Sequence, residues 1–327
     1  MSMAYILKTN KEVQRECANV EKYLDEFLAF EHKDIAEGAL HTLHAGGKRL
    51  RPAILIMTAS FYDNAKNVVP LAAAMEIVHM SSLIHDDIID QSPTRRGQAT
   101  LFKQIGAYRA LHSGDYILSK ALQMVNDLPH GQEMMQILGN LSCEMCYGEV
   151  EQINSMYDVK QTLDDYYYRI NRKTALLFAA CCQLGALASE ASEEEIQTFY
   201  DIGYNMGMAF QIKDDILDME MSAKDLGKPA GNDLAQGIMT LPTILALEKD
   251  FPERVRLLEL IENRFAGGQS EVEEALTIIK ENNGISEANI YCKRYIDEAK
   301  RLIEQLPEKK GKKGFVLSAK YVIERGF

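Results

Sequence analysis

LAAAMEIVHMSSLIHDDIID, residues 71–90, places apolar side chains at 71, 74, 75 and 78 and again at 77, 80, 84 and 88, the spacing of a helix and not the alternation of a strand. Pro70 stands where a first helical turn tolerates a missing N–H. A second stretch, Glu194 to Asp218, repeats the pattern through Ile196, Phe199, Ile202, Met206 and Phe210. Only 8 prolines occur, and none lies between Pro129 and Pro229, so long helices run unbroken there. Strand-like runs with Asn-Gly or Asp-Gly turns are scarce, although FVLSAKYV (Phe315 to Val322) reads either way. EKKGKK, Glu308 to Lys313, reads as a solvated loop before a last short helix. The expectation is an all-α fold, with residues 1–327 forming a single domain.

Composition narrows the function. With 46% hydrophobic residues the chain can bury a large core. Lys and Arg number 36 against 48 Asp and Glu, a formal charge of -12 that repels nucleic acid, so any phosphate binding must be local. No run of about 18 apolar residues occurs. MSMAYILKTNKEVQRE turns charged before a signal-peptide core forms, and the expected location is cytoplasmic. The 6 cysteines are scattered, as in a reducing compartment, and Cys143-x-x-Cys146 has no second pair to make a zinc site.

The chemistry is carried by two aspartate clusters, Asp86-Asp87-Ile88-Ile89-Asp90 and Asp214-Asp215-Ile216-Leu217-Asp218. In each, the first and last aspartates stand four apart, so on a helix both carboxylates leave one face, with the middle one off to the side. An acidic helix end in water accounts for either cluster singly. Two copies, each following an apolar helix, call for a compensating hard cation, and magnesium, held by one or two carboxylates plus substrate phosphates, suits them. Cations gather nearby despite the acidic total: Lys48, Arg49 and Arg51 beside Gly46-Gly47, then Arg95-Arg96, Lys173 and Lys228. Together they describe a ligand with several anionic oxygens. His85 is read as a helix residue bonded to backbone or carboxylate, and His41 and His44 as structural or surface residues.

These stretches combine into a resemblance. GGKRLRP, HMSSLIHDDIIDQSPTRRG, SGDY at 113–116, YGEVEQ at 147–152, KTA at 173–175, FQIKDDILD, GKPAGND and TLP at 240–242 occur in the order found in trans-polyprenyl diphosphate synthases, with looser agreement to Arg325. The resemblance implies an all-helical domain around a deep central cavity, usually a homodimer, that joins an allylic diphosphate (geranyl, farnesyl or geranylgeranyl) to isopentenyl diphosphate and releases pyrophosphate. It implies three Mg2+ ions per active site. Asp86 and Asp90 would hold metal on one wall and Asp214 on the other, with Asp87, Asp215 and Asp218 supporting and Gln152 reaching a metal-bound water. Arg95, Lys173 and Lys228 would meet the allylic diphosphate, and Lys48, Arg51, His79 and Arg96 the isopentenyl diphosphate. Thr174 and Gln211 would sit near the reacting carbons. At most peripheral membrane contact is expected.

One departure is visible: Ile238 stands where the family often has lysine. Phe210, Met206 and Leu83 are expected to line a water-excluding pocket. Below the first cluster, Ser81 and Ser82 are small, so a growing tail passes, and a product of roughly thirty to forty carbons is expected because each buried methylene adds about 0.8 kcal/mol. A geranylgeranyl or farnesyl synthase is the alternative. A terpene cyclase would lack GGKRLRP, a di-iron bundle needs two Glu-x-x-His elements where this chain has only Glu76 to His79, and a regulatory subunit of a hetero-oligomeric synthase would have lost its aspartates.

Overall fold

The computed structural model describes residues 10–29, 33–47, 49–63, 68–220 and 230–324. Helix α1 (Lys11–Leu28) starts at Asn10, whose side chain accepts from the Glu12 and Val13 N–H groups. Then come α2 (Lys33–His44), α3 (Leu50–Ala59) and α4 (Val68–Ile89), the helix that carries the first aspartate cluster. α5 (Leu101–Ile105), α6 (Ala107–Asn126) and α7 (Gly131–Asn154) follow. α8 (Leu163–Ile170) opens on a reciprocal cap between Thr162 and Asp165 and runs into a π-helical turn, Asn171–Ala175, before α9 (Leu176–Leu187). α10 (Glu193–Glu220) carries the second cluster. The chain finishes with α11 (Asn232–Ala235), α12 (Leu241–Leu247), α13 (Arg254–Glu262), α14 (Gln269–Glu281), α15 (Gly284–Gln305) and α16 (Lys310–Glu324).

The all-α expectation holds. Among the described residues the strands are two short ones, β1 (Thr94–Arg95) and β2 (Gln98–Ala99), paired antiparallel across Arg96 and Gly97. Both turn residues have positive φ (52° and 77°), as a tight hairpin requires. Two paired residues a side are too few to show an alternating pattern, so PTRRG reads in sequence only as a cation cluster. The ambiguous segment 315–322 lies inside α16, and that helix begins at Lys310, about one turn earlier than the loop reading of EKKGKK allowed.

By length and composition α4 is apolar enough to cross a membrane. It is instead a core helix: α1, α3 and α6 pack on it, and Leu71 to Met75 and Ile77 are fully buried. α10 plays the same part in the other half, packed between α9 and α15. Two hydrophobic clusters result, one centred on α3, α4 and α9 and one on α12 to α15, and α10 contributes to both.

Two close approaches set the site. At Gly148 on α7, a Cβ would lie 2.8 Å from the Arg172 Cβ, and at Gly207 on α10 it would lie 2.6 Å from the Ala175 Cα. Glycine at both places lets α7 and α10 press against the π turn that carries Lys173 and Thr174. Because the obstacle at Gly207 is backbone, Gly207→Ala is expected to destabilise the protein by about 1–3 kcal/mol, the usual cost of overpacking. A urea midpoint indistinguishable from the parent's would show that the two segments have room to separate.

Candidate functional site

The first aspartate cluster closes α4: Asp86 lies in its last turn, and the Asp90 N–H donates to the Asp86 carbonyl at 2.8 Å. The second occupies the end of α10. Residues from both line one cavity of about 540 Å³, Asp90, Arg95 and Arg96 from the first region and Gln211 and Asp215 from the second. Gln152 of α7, Lys173 of the π turn, Arg169 of α8, Asp233 of α11 and Ile238 complete its wall. A larger recess, about 880 Å³, lies at the other end of α4 among Val68, Val69, Pro70, Phe61 and Tyr62, with Arg15, Lys309, Glu12, Glu16, Asp63 and Glu308 on its rim and neither aspartate cluster in its lining.

Burial pushes the Asp86 carboxyl up to about 6, against the pull of Lys173 and with the charges of Glu149 and Asp90 adding to the rise. For Lys173, burial alone would lower the ammonium, but Asp86, Glu149 and Asp90 outweigh it and hold the charge on. Its Nζ donates to Glu149 Oε2 at 2.8 Å. Lys173 thus serves three carboxylates, and Arg95 also acts on Asp86 and Asp90.

The two middle aspartates, expected to support a metal, are both engaged by protein donors. Asp87 is buried and accepts from Arg95 Nε at 2.7 Å. Asp215 is buried with both oxygens engaged: Oδ2 accepts from the Tyr166 hydroxyl at 2.7 Å and Oδ1 from Gln211 Nε2 at 2.8 Å. Burial raises Asp215 to about 7, Asp233 adds to the rise, and the two hydrogen bonds and Arg169 oppose it. Both carboxylates hold walls of the site: Asp87 fixes Arg95, and Asp215, which also borders the cavity, fixes Tyr166 and Gln211. Asp218 also has a structural task, Oδ2 accepting from the Asp233 N–H at 3.1 Å.

A second charged group surrounds His79. Burial, reinforced by Arg51, Arg96, Arg95 and Arg49, drives its imidazole well below the ordinary value, so the ring is neutral among guanidinium groups. Arg51 lies 5.6 Å over the Phe178 ring, and its Nε is buried with no hydrogen-bond partner among the described residues. The carboxylate here, Glu76, is occupied by Arg49 at 2.9 Å, and Arg49 also pairs with Glu21 of α1. Arg49 is therefore structural, while Arg51 and Arg96 are left to an anion. Lys48 and Lys228, the other expected cations, lie outside the described residues.

Thr174 and Gln211, expected together, are together: Thr174 Oγ1 donates to Gln211 Oε1 at 2.6 Å. Gln152 is buried and donates to Glu149 Oε1 at 3.3 Å. Phe210 is half-buried against Phe178, ring centroids 5.0 Å apart, and Leu83 is half-buried, whereas Met206 is packed inside the core. His85 lies 3.2 Å from the Asp115 carboxylate, His44 meets Asp25, and His41 meets the Ala99 carbonyl. Cys143 and Cys146 are free, exposed thiols. Sequence reasoning missed Glu149, Tyr166 and Arg169. Glu149 sits within the quoted YGEVEQ, and Tyr166 lies two helical turns before Lys173 on the same segment, which is where each was to be sought.

Among the described residues no three of His, Cys, Asp and Glu close into a complete metal cage. The donors of the two clusters are oxygens only, on two elements that share a cavity, with Asp86 raised by burial. That suits a hard divalent cation that completes its shell with water and ligand phosphate.

The comparisons agree with this chemistry. A family model described as polyprenyl synthetase matches residues 32–279. The "Heptaprenyl diphosphate synthase component 2" of Geobacillus stearothermophilus is 40% identical over 295 residues, 89% of each chain. The crystal structure of a heptaprenyl diphosphate synthase from Staphylococcus aureus superposes with a TM-score of 0.90 at 32% identity, covering 96% of this chain and 99% of that one. A polyprenyl synthase from Caulobacter crescentus CB15, complexed with calcium and isoprenyl diphosphate, superposes with a TM-score of 0.90 at 27% identity, covering 99% and 98%. With its motifs in order, its helices in place and its two acidic helix ends facing one cavity, the chain belongs to the polyprenyl synthetase family of prenyltransferases.

Proposed function

We propose that the whole chain, residues 1–327, is one catalytic domain that condenses an allylic diphosphate with isopentenyl diphosphate in trans geometry and releases pyrophosphate. The observation that carries this reading is the shared cavity, which brings Asp90 and Asp215 together with Lys173, Gln152 and Arg96. Asp86, Asp90 and Asp214 would hold magnesium, which when bound neutralises the charge of the departing diphosphate. Lys173, kept protonated by its carboxylate neighbours, lies where it can bind that diphosphate, with Arg95 anchored beside it by Asp87. Arg51, Arg96 and the neutral His79 form the pocket for the second diphosphate, and Lys48 and Lys228 are proposed to add to the two sites. Thr174 and Gln211 turn oxygen atoms toward the reacting carbons, where they stabilise positive charge. Phe210 and Leu83 exclude water. No nucleophilic side chain is needed, since the double bond of the second substrate attacks.

A product of roughly thirty to forty carbons is proposed, each methylene buried along the tail path adding about 0.8 kcal/mol. The heptaprenyl synthases among the similar proteins support that length. Ser81 is buried and donates to the Gly114 carbonyl of α6, so it faces the α4–α6 contact. Ser82, half-buried one turn below Asp86, is the better candidate for the tail path.

The enzyme is proposed to work in the cytoplasm as a homodimer, or as one component of a hetero-oligomer. Tyr147, Val150 and Ile153 form an exposed apolar stripe along α7, and Tyr108 and Leu111 are exposed on the adjoining α6, a surface that a second chain would cover. The word "component" in a relative's name favours the second assembly. The catalytic side chains are intact, which sets the chain apart from a regulatory subunit.

Purified chain given Mg2+, farnesyl diphosphate and labelled isopentenyl diphosphate is expected to yield extended products. No extension by the chain alone would favour dependence on a second component. Ser82→Phe is expected to shorten the main product by one or more isoprene units, and an unchanged product mass would remove Ser82 from the tail path. The raised Asp86 fixes the sign of a pH effect. Its native carboxyl holds a proton more tightly than the unfolded chain does, so its contribution to stability is present below about pH 4 and lost as pH rises through about 6. Divalent binding must displace that proton. The rise in thermal midpoint given by Mg2+ with pyrophosphate is therefore expected to be small at about pH 5 and to grow to a plateau near about pH 7. An increment independent of pH would separate Asp86 from the metal.

A further inference from the structure

We infer that Tyr166, through Asp215, is a positioning residue that fixes which way the Gln211 carboxamide points. The inference rests on the prenyl-transfer reading, in which Gln211 and Thr174 face the reacting carbons. The contacts form a closed frame between two elements. Tyr166 on α8 donates to Asp215 Oδ2 at 2.7 Å, and Gln211, one turn before Asp215 on α10, donates through Nε2 to Oδ1 at 2.8 Å. Gln211 Oε1 then accepts from Thr174 Oγ1 at 2.6 Å, which returns the chain of contacts to the segment that continues α8.

A carboxamide fills nearly the same space in either orientation, so only its hydrogen-bond partners decide where oxygen and nitrogen lie. In the observed frame both Asp215 oxygens accept. Asp215 draws the Gln211 NH2 to itself and leaves the amide oxygen, with its spare lone pair, beside Thr174 at the cavity. Reversing the amide would turn N–H donors toward a carbon that becomes positive, the wrong sign for stabilisation. Asp215 must itself be held, because it is deeply buried and a carboxylate on two bonds there has one fewer way to rotate. The Tyr166 hydroxyl is that restraint. Its ring is fully buried, and Arg169, which donates to the Gln161 side chain and the Met239 carbonyl, lies 5.7 Å over the ring face.

Tyr166→Phe removes one oxygen atom and keeps the ring. The variant is expected to lower kcat by about tenfold or more while KM for either diphosphate stays within about twofold, the mark of an interaction used in the transition state. The thermal shift that Mg2+ with pyrophosphate gives is expected to match the parent's, since Tyr166 does not hold the anion. In a Gln211→Ala background the same change is expected to cost nothing further. Asp215→Asn, which keeps the volume but presents N–H to Gln211, should lower kcat with Tyr166 still in place and serves if Tyr166→Phe does not fold. Parent-like kcat in either variant, loss of the pyrophosphate shift in Tyr166→Phe, or an undiminished loss in the Gln211→Ala background overturns the inference. Parent activity alongside an unaffected Tyr166→Phe overturns it alone; a parent that extends no substrate and gains no thermal shift from Mg2+ with pyrophosphate overturns the prenyl-transfer reading with it.

Discussion

A carboxylate taken out of water must find a cation or take up a proton, and that requirement organises this molecule. Asp86 sits at the end of a helix buried along most of its length, and Lys173 with Arg95, which is already bonded to Asp87, faces four carboxylates, Asp86, Asp87, Asp90 and Glu149. The site is thus built short of positive charge. Left so, it takes up a proton near pH 6; supplied with a divalent cation and a diphosphate, it becomes balanced. The apolar packing of α4 and α10 is what makes the shortage matter, because the same two clusters at solvated helix ends would cost little.

The D-D-x-x-D pattern divides its labour by helical geometry. Residues four apart share a face, and in the first cluster that face meets the cavity. The residue beside them leaves the helix about a quarter-turn away, and there it is met by donors: Arg95 for Asp87, Tyr166 and Gln211 for Asp215. The middle positions act as struts that carry a cationic side chain in one wall and a carboxamide in the other.

Much of this was legible in the sequence. The helical period of 71–90 and 194–218, the proline-free middle and the duplicated spacing of acids led to the fold and to the pairing of the two clusters. Arg96, His79 and Arg51 were legible as a cationic group only through family resemblance, since nothing local brings residues 51, 79 and 96 together. What was not legible depended on long-range partners. The π turn at Asn171–Ala175 has no sequence marker, and α7 and α10 approach it closely at two glycines. Tyr166 in sequence is one of three consecutive tyrosines on an amphipathic helix, and only the position of α10 singles it out. Met206 matched the period of a cavity-lining face but lies where the bundle closes, because periodicity identifies the inward side without saying whether a void or another helix awaits there.

The charge distribution also separates the two substrates. Around Asp86 and Asp90 acids outnumber bases, so a diphosphate enters only with divalent cations that reverse the local sign. Around His79 the balance is opposite: four guanidinium groups act on that ring, and Glu76 is already committed to Arg49. A diphosphate can bind there directly. Under the proposed reaction, only the diphosphate that must depart needs an electrophile to carry its charge away, while the other stays attached through the chemistry. Metal is therefore demanded at the end where a carbon–oxygen bond breaks, and guanidinium suffices at the end where none does. Ile238 lines the cavity shared by the two clusters, at a position where a lysine is often found, so that stretch of wall offers an apolar side chain in place of a cation.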